Sequence, residues 1–176
     1  MILIVGLGNP GEEFEKTRHN LGFRVLDLLQ KKWSLPPFVL NKTVFSLISK
    51  GKFSEKEIIL AKPQTFMNLS GKAVKSLKKK FKIKTKNIII IHDEMDLPLG
   101  KTKFSFKKGA AGHKGVSSII QSLKTKNFFR YRIGIGKEKR ENFVLEKFSK
   151  EEEKILKETI KKTLLDLENY LKKNQV

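Results

Sequence analysis

Three histidines, His19, His92 and His113, are the only imidazoles in a 176-residue chain that has no cysteine. Thiol nucleophiles, disulfides and thiolate zinc sites are therefore excluded together. Acyl transfer in such a chain has to use a histidine that deprotonates water, a carboxylate that orients the ring and amides that polarise the carbonyl. His19, Asp93, Asn9 and Asn68 supply that set. Each also has a plain structural role open to it, because a lone histidine is often a core residue, Asn beside Gly is common in turns, and Asp after a strand is often a cap. A metal site from His92, Asp93, Asp96 and His113 is the other constellation these residue types permit. Its spacings match no ligand pattern, and Asp96-Leu97-Pro98 reads as a turn, so neither metal nor cofactor is expected.

The glycines raise a different chemistry. After the apolar strand Ile2-Leu3-Ile4-Val5, the run Gly6-Leu7-Gly8-Asn9-Pro10-Gly11 fits the G-x-G-x-x-G of a dinucleotide-binding turn. That turn needs a helix opening at the third glycine, with free N–H groups facing the pyrophosphate. Here Pro10 stiffens the turn, Glu12, Glu13 and Glu15 repel phosphate, and helical apolar spacing resumes only near Gly22. The second strand with its ribose-binding acid is missing too, because the helix from about residue 20 runs into Lys31-Lys32-Trp33-Ser34-Leu35-Pro36-Pro37.

The elements that must position these groups read as one α/β domain spanning residues 1–176, a single mixed β-sheet flanked by helices on both faces. Gly22, Val25, Leu26, Leu29 and Trp33 share one helical face, and Pro36-Pro37 ends that segment. Strand-like runs follow at Thr43 to Ser49 and Glu57 to Lys62, joined by a turn around Gly51. A helix from about Ser70 turns Ala73, Val74, Leu77 and Phe81 inward. Asn87-Ile88-Ile89-Ile90-Ile91 reads as a strand buried on both faces, with His92 and Asp93 in the loop at its carboxyl end. Lys101 to Lys107 alternates as a strand, Gly109 to Gly115 is a small-residue loop, Val116 to Leu123 a short helix, and Tyr131 to Ile135 a further strand. Ser149-Lys150-Glu151-Glu152 is a capping box for a last helix with Leu156, Ile160, Leu164, Leu167 and Leu171 in one stripe. Open α/β sheets present ligand sites at the carboxyl ends of their strands, where Asn9 and Asp93 fall.

A formal charge of +20 points to a polyanionic partner. Of the 38 basic residues only five are arginine, so a lysine-rich background contributes as well. Clustering survives that discount: eight lysines lie between Lys72 and Lys86, and Lys101, Lys103, Lys107, Lys108 and Lys114 crowd another stretch. No apolar run is long enough for a membrane span and no signal-peptide pattern opens the chain, so a cytoplasmic protein is expected. An esterase, a basic RNA-binding module without chemistry and a nucleotide-dependent enzyme all remain open at this level.

Four motifs narrow the choice. Val5-Gly6-Leu7-Gly8-Asn9-Pro10-Gly11, Thr17-Arg18-His19-Asn20-Leu21-Gly22, Lys62-Pro63-Gln64-Thr65-Phe66-Met67-Asn68-Leu69-Ser70-Gly71 and His92-Asp93-Glu94-Met95-Asp96-Leu97-Pro98 resemble, in order and spacing, the signatures of bacterial peptidyl-tRNA hydrolase. The resemblance runs on to Arg132-Ile133-Gly134-Ile135-Gly136. It implies hydrolysis of the ester between a peptide and the CCA terminus of tRNA, by a monomer that needs no cofactor, obligate protein partner or membrane. Carried over, His19 is the general base, Asp93 orients and stabilises it, and Asn9 selects N-blocked substrates. Asn68 binds the peptide backbone, Phe66 and Met67 wall the site, Phe14 contacts the tRNA end, and His113 with the residue after it completes the substrate site. The family commonly has Tyr where this chain has Phe14 and Phe66. Two further departures stand out: Lys114 replaces the usual Asn, and Ser105 replaces a basic residue that joins Arg132 on the tRNA 5′ phosphate. Because residues 103, 105 and 107 of a strand share one face, Lys103 or Lys107 is expected to supply that charge.

Overall fold

The computed structural model describes residues 1–138, 140 and 142–173. Seven strands form one sheet, β1 (Ile2–Gly6), β2 (Val39–Asn41), β3 (Ser46–Phe53), β4 (Lys56–Pro63), β5 (Ile88–Glu94), β6 (Thr102–Phe106) and β7 (Phe129–Gly134), in the order β2-β3-β4-β1-β5-β7-β6. The neighbours β4, β1, β5 and β7 are mutually parallel, while β2, β3 and β6 add antiparallel edges. This is the expected mixed sheet. Every residue of β1 and β5 is buried, as central parallel strands covered on both faces require.

Four helices cover the two faces: α1 (Leu21–Lys32), α2 (Ser70–Lys80), α3 (Lys114–Leu123) and α4 (Lys150–Lys173). Strand alternation divides the apolar side chains into two cores. Ile2, Ile4, Ile89, Ile91 and Ile133 pack with α1 and α4, whereas Leu3, Val5, Ile88 and Ile90 pack with α2 and α3. The capping box of α4 forms as expected, with Glu152 N–H on Ser149 Oγ at 3.2 Å and Ser149 N–H on Glu152 Oε2 at 2.7 Å. Glu152 and Glu153 also take bidentate pairs from Arg18 and Arg24, tying the first turn of α4 to the segment that carries His19.

Three local expectations are corrected. The hairpin turns at Ser54 and Glu55, both with positive φ, and not at Gly51, which pairs with Ile58 inside the ladder. A side chain at Gly51 would collide with Leu35, so this glycine serves close packing. The run from Thr43 is broken by a 3-10 turn at Lys42–Val44 and a left-handed Phe45, and β3 starts only at Ser46. At the other edge, β6 ends at Phe106, and Lys107, at φ 58, leaves the strand alternation that was to align it with Lys103.

Candidate active site

The glycines of the first loop fit α1 to the sheet. A Cβ on Gly22 would lie 2.3 Å from Leu7 N and 2.4 Å from Ile91 O, and one on Gly6 would lie 2.3 Å from Gly22 O. Only bare backbone permits this approach, which draws the start of α1 onto the carboxyl ends of β1 and β5. Gly11, at φ 120, is followed by a 3-10 turn, Glu12–Phe14, so no α-helix opens where a pyrophosphate would need one. A second short turn, Arg18–Asn20, then delivers His19 and Asn20 directly ahead of α1.

His19 meets Asp93 there. Its Nδ1 lies 3.0 and 2.9 Å from the two Asp93 oxygens, and the carboxylate is only 1% exposed. His92, Asp93 and Glu94 are the last residues of β5 and not a loop, so alternation sends Asp93 and its two neighbours to opposite faces. His113 approaches the same carboxylate, Nε2 to Oδ1, at 3.0 Å. Its Nδ1 accepts from Val116 N–H at 3.3 Å as it caps α3, which puts the ring proton on Nε2, facing Asp93. For His19 the same logic places the proton on Nδ1 and leaves Nε2 as the basic atom. Burial by itself would raise the Asp93 carboxyl, but the imidazoles of His19 and His113, hydrogen-bonded to it, outweigh it and hold the group well below the carboxylate range.

The carboxamide of Asn9 is oriented as tightly. Its backbone exchanges two hydrogen bonds with the Asn20 side chain, at 2.8 and 2.9 Å, and its Oδ1 accepts Met67 N–H at 2.8 Å. The end of Asn9 left for a ligand is therefore the donor, Nδ2. Asn9, His19, Phe66, Met67, Asn68, Asp93, His113 and Lys114 line one cleft of about 680 Å³. Phe66 and Asn68 stand exposed on its rim while Met67 is buried beneath them. Phe14 is half-buried in the Glu12–Phe14 turn and is not among the residues lining this cleft. A neighbouring groove of about 800 Å³ shares Asn9 and is also lined by Asn20, but it contains no imidazole, and its Lys62 and Arg24 are paired with Asp27 and Glu153.

The metal constellation does not assemble from the residues the spacing suggested. His92 turns its Nδ1 to the Asp93 carbonyl at 2.6 Å, and Asp96 pairs with Lys137 at 3.5 Å on the surface. His19, Asp93 and His113 do bring their ligand atoms within 4.8 Å of one another. Ligation through His113 Nε2 would, however, leave a protonated Nδ1 against the Val116 N–H, donor facing donor. The trio is arranged for hydrogen bonding to one carboxylate and does not fit a metal ion.

Beyond the cleft, Lys103 and Arg132 are directly opposite in the β6–β7 ladder, as Ser105 and Arg130 are. Arg132 Nη1 donates to buried Glu94 at 3.3 Å, while Lys103 is exposed. Ser105 Oγ and the Nε atoms of Arg130 and Arg132 are buried without hydrogen-bond partners. Lys107 lies past the strand with its Nζ 5.4 Å from the Phe106 ring centre. Sequence reasoning gave His92 only a metal-ligand role, which does not form, and assigned no role to Asn20, Glu94 or Arg130. The adjacent Asn20 gave a weak signal, His92 and Glu94 flanked Asp93 in what read as a loop, and Arg130 stood just ahead of a strand that looked like plain core.

The peptidyl-tRNA hydrolase family profile matches residues 3–176. A peptidyl-tRNA hydrolase of Aquifex aeolicus (strain VF5) is 46% identical over 167 residues, covering 92% of this chain and 85% of that protein. One from Bacillus subtilis (strain 168) is 41% identical over 178 residues, covering 98% and 93%. The crystal structure of peptidyl-tRNA hydrolase from Acinetobacter baumannii superposes with a TM-score of 0.89 at 32% identity, over 94% of this chain and 85% of the other.

Proposed function

The chain belongs to the peptidyl-tRNA hydrolase family and hydrolyses peptidyl-tRNA, and we propose that His19, Asp93 and Asn9 carry the reaction. His19 Nε2 takes a proton from water, and the hydroxide attacks the ester carbonyl that joins the peptide to the terminal ribose of the CCA end. The oxyanion that forms is polarised by the carboxamides of Asn9 and Asn68. As it collapses, the ribose oxygen leaves with the proton from His19, giving a tRNA hydroxyl and a peptide carboxylic acid that releases its proton to solvent. Asp93 holds the ring in its Nδ1–H tautomer and stabilises the imidazolium while the proton resides there. The observation that carries this reading is the 2.9 Å contact between His19 Nδ1 and a buried carboxylate, which leaves Nε2 as the only basic atom of that ring.

Selectivity follows from the donor end of Asn9. The carbonyl of an N-blocked residue accepts from Nδ2, whereas a free α-ammonium offers only donors to it and would have to shed its water. Phe66 and Met67 form the apolar wall, Asn68 binds the peptide backbone, and Phe14, through its ring, contacts the tRNA end. His113 and Lys114 complete the substrate site, Lys114 donating where an amide would both donate and accept. Lys103 takes the place left open by Ser105: with Arg132 directly opposite, two like charges face one another, an arrangement a phosphate relieves. Lys107, past the Phe106 end of β6, adds charge further along the same edge. Residues 1–176 act as one cytoplasmic domain, as a monomer without cofactor or obligate protein partner. No helix among the described residues is long and apolar enough to cross a membrane. The deciding test is turnover on N-blocked against free aminoacyl-tRNA, where cleavage of the blocked substrate alone is expected and equal cleavage of both would overturn the role of Asn9.

A further inference from the structure

Arg130 is 1% exposed on the α3 face of β7, and a guanidinium taken so far out of water is ordinarily matched by a carboxylate. Among the described residues none stands within ion-pair distance, because the neighbouring Glu94 is engaged by Arg132. Arg130 instead donates from Nη2 to Gly109 O at 2.6 Å and from Nη1 to His92 Nε2 at 3.4 Å. His92 passes the contact on. Its Nδ1 lies 2.6 Å from the Asp93 carbonyl, which can only accept, so the ring proton sits on Nδ1 and Nε2 presents a bare lone pair to Arg130. Burial, with the Arg130 charge nearby, holds the His92 imidazole neutral far below its ordinary range.

The other branch reaches His113. Gly109 opens the loop that ends at His113, and the outer side of that loop is bare: a Cβ on Gly109 or Gly112 would meet nothing within 4 Å. Ala111 and Gly112 both have positive φ, at 47 and 80. Support comes from within, through Arg130 on Gly109 O, His113 N–H on Ala110 O at 3.0 Å, and His113 Nε2 on Asp93. The His92 ring also packs edge-on against His113, with centroids 4.5 Å apart. Asp93, His92, Arg130, Gly109 and His113 thus form a closed circuit behind the reacting groups.

We propose that Arg130 and His92 are positioning residues for the catalytic centre, Arg130 fixing at once the loop that presents His113 and the imidazole that holds the Asp93 backbone. The inference rests on the roles assigned above to His19 and Asp93, and names what keeps their geometry. A guanidinium suits the task because its planar fork reaches two acceptors in different directions, whereas an ammonium acts as one point charge on a flexible stem.

Long-range ¹H–¹⁵N spectra of the unmodified protein test the circuit without turnover. His92 is expected as the Nδ1–H tautomer and His113 as the Nε2–H tautomer; a proton on His92 Nε2 would overturn the proposal. Kinetics on N-blocked aminoacyl-tRNA test its consequence. In Arg130→Met, kcat is expected to fall at least tenfold with KM within twofold, and the His113 signals are expected to lose their single-tautomer pattern. Arg130→Lys should recover little of this. His92→Gln keeps an acceptor for Arg130, and His92→Asn keeps a donor for Asp93, so each should retain more activity than His92→Leu. Wild-type kcat in Arg130→Met, or a raised KM at unchanged kcat, would sink the idea, the latter making Arg130 a tRNA contact. Should Arg130→Met fail to fold, Arg130→Lys and the His92 variants decide by the same readings. Failure of the His19 assignment would show separately, as activity retained in His19→Ala with the tautomer pattern of His92 and His113 intact.

Discussion

Asn9 and Met67, fifty-eight residues apart, are joined by a 2.8 Å hydrogen bond from the Met67 backbone to Asn9 Oδ1, and that bond decides which end of the carboxamide faces a substrate. Asn9→Asp keeps the acceptor for Met67 but turns a second acceptor, with a negative charge, toward the ligand. Cleavage of N-blocked aminoacyl-tRNA is expected to fall about tenfold or more, the loss of one oriented amide donor at a reacting carbonyl. The ratio of blocked to free substrate cleavage should narrow as well. Steady-state rates on both substrates check this, and an unchanged ratio would remove Asn9 from selection.

His19→Ala removes the base and is expected to lower kcat by about 100-fold or more, the scale of general-base loss. Asp93→Asn should be as severe, since both carboxylate oxygens face His19 Nδ1, and either orientation of a carboxamide sets its NH₂ against that N–H. Circular dichroism separates loss of chemistry from loss of fold. Near-normal turnover in folded His19→Ala would refute the mechanism.

Lys103 and Arg132 should act together on the tRNA phosphate. Lys103→Gln is expected to weaken binding and to lower the slope of log K against log salt by about 0.7, as for one contact on a single strand. Arg132→Ala should do the same and in addition destabilise the fold, because Glu94 loses the guanidinium at 3.3 Å and is left buried. Arg132→Lys, which retains the charge, separates the two effects. Salt titrations that leave both slopes unaltered would place the contact elsewhere.

Acid should weaken the fold through His92 before it does so through Asp93. Unfolded, His92 takes a proton near 6.5; folded, burial keeps it neutral to much lower pH. Its environment therefore costs nothing above that value, and stability falls as pH drops below it, by at most about 1.4 kcal/mol per pH unit. Asp93, held well below the carboxylate range, contributes stability that persists through this window and is lost only in stronger acid. Urea unfolding between pH 7.5 and 5.5 should show a steeper loss in the natural chain than in His92→Asn; parallel slopes would contradict the assignment.

Gly22→Ala tests the link between packing and site. Its Cβ would meet backbone just past β1 and in β5, Leu7 N at 2.3 Å and Ile91 O at 2.4 Å, and backbone cannot rotate away as a side chain can. A loss of at least about 1–3 kcal/mol is expected from the overpacking, with a larger proportional loss of activity, because the shift of α1 carries His19 and Asn20 off Asp93 and Asn9. Thermal denaturation and turnover measured side by side check it.

Much of the architecture was legible because local pattern coincides with the forces that fold it. The stripe of α4, the capping box at Ser149 and the unbroken apolar run of β5 need no knowledge of their partners. The errors fell where tertiary packing overrides local preference. Gly51 sits in a ladder because Leu35 presses on it, and Lys107 leaves β6 as a left-handed residue, a conformation no alternation rule reveals.

For the site, residue types alone restricted the chemistry to imidazoles and carboxylates, and the motifs singled out His19, Asp93, Asn9 and Asn68. Spacing along the chain could not rank His113, nor recognise Arg130 and His92, since their roles depend on which atom of each ring faces which partner. Those facings are set by the register of β5 against β7 and by His113 capping α3. Composition and periodicity thus determined that a histidine and an acid were available at the strand ends. Only the folded sheet, joining segments seventy-four residues apart, decided which nitrogen carries the proton and which is left to act on water, because a hydrogen bond is directional and its direction exists only in three dimensions.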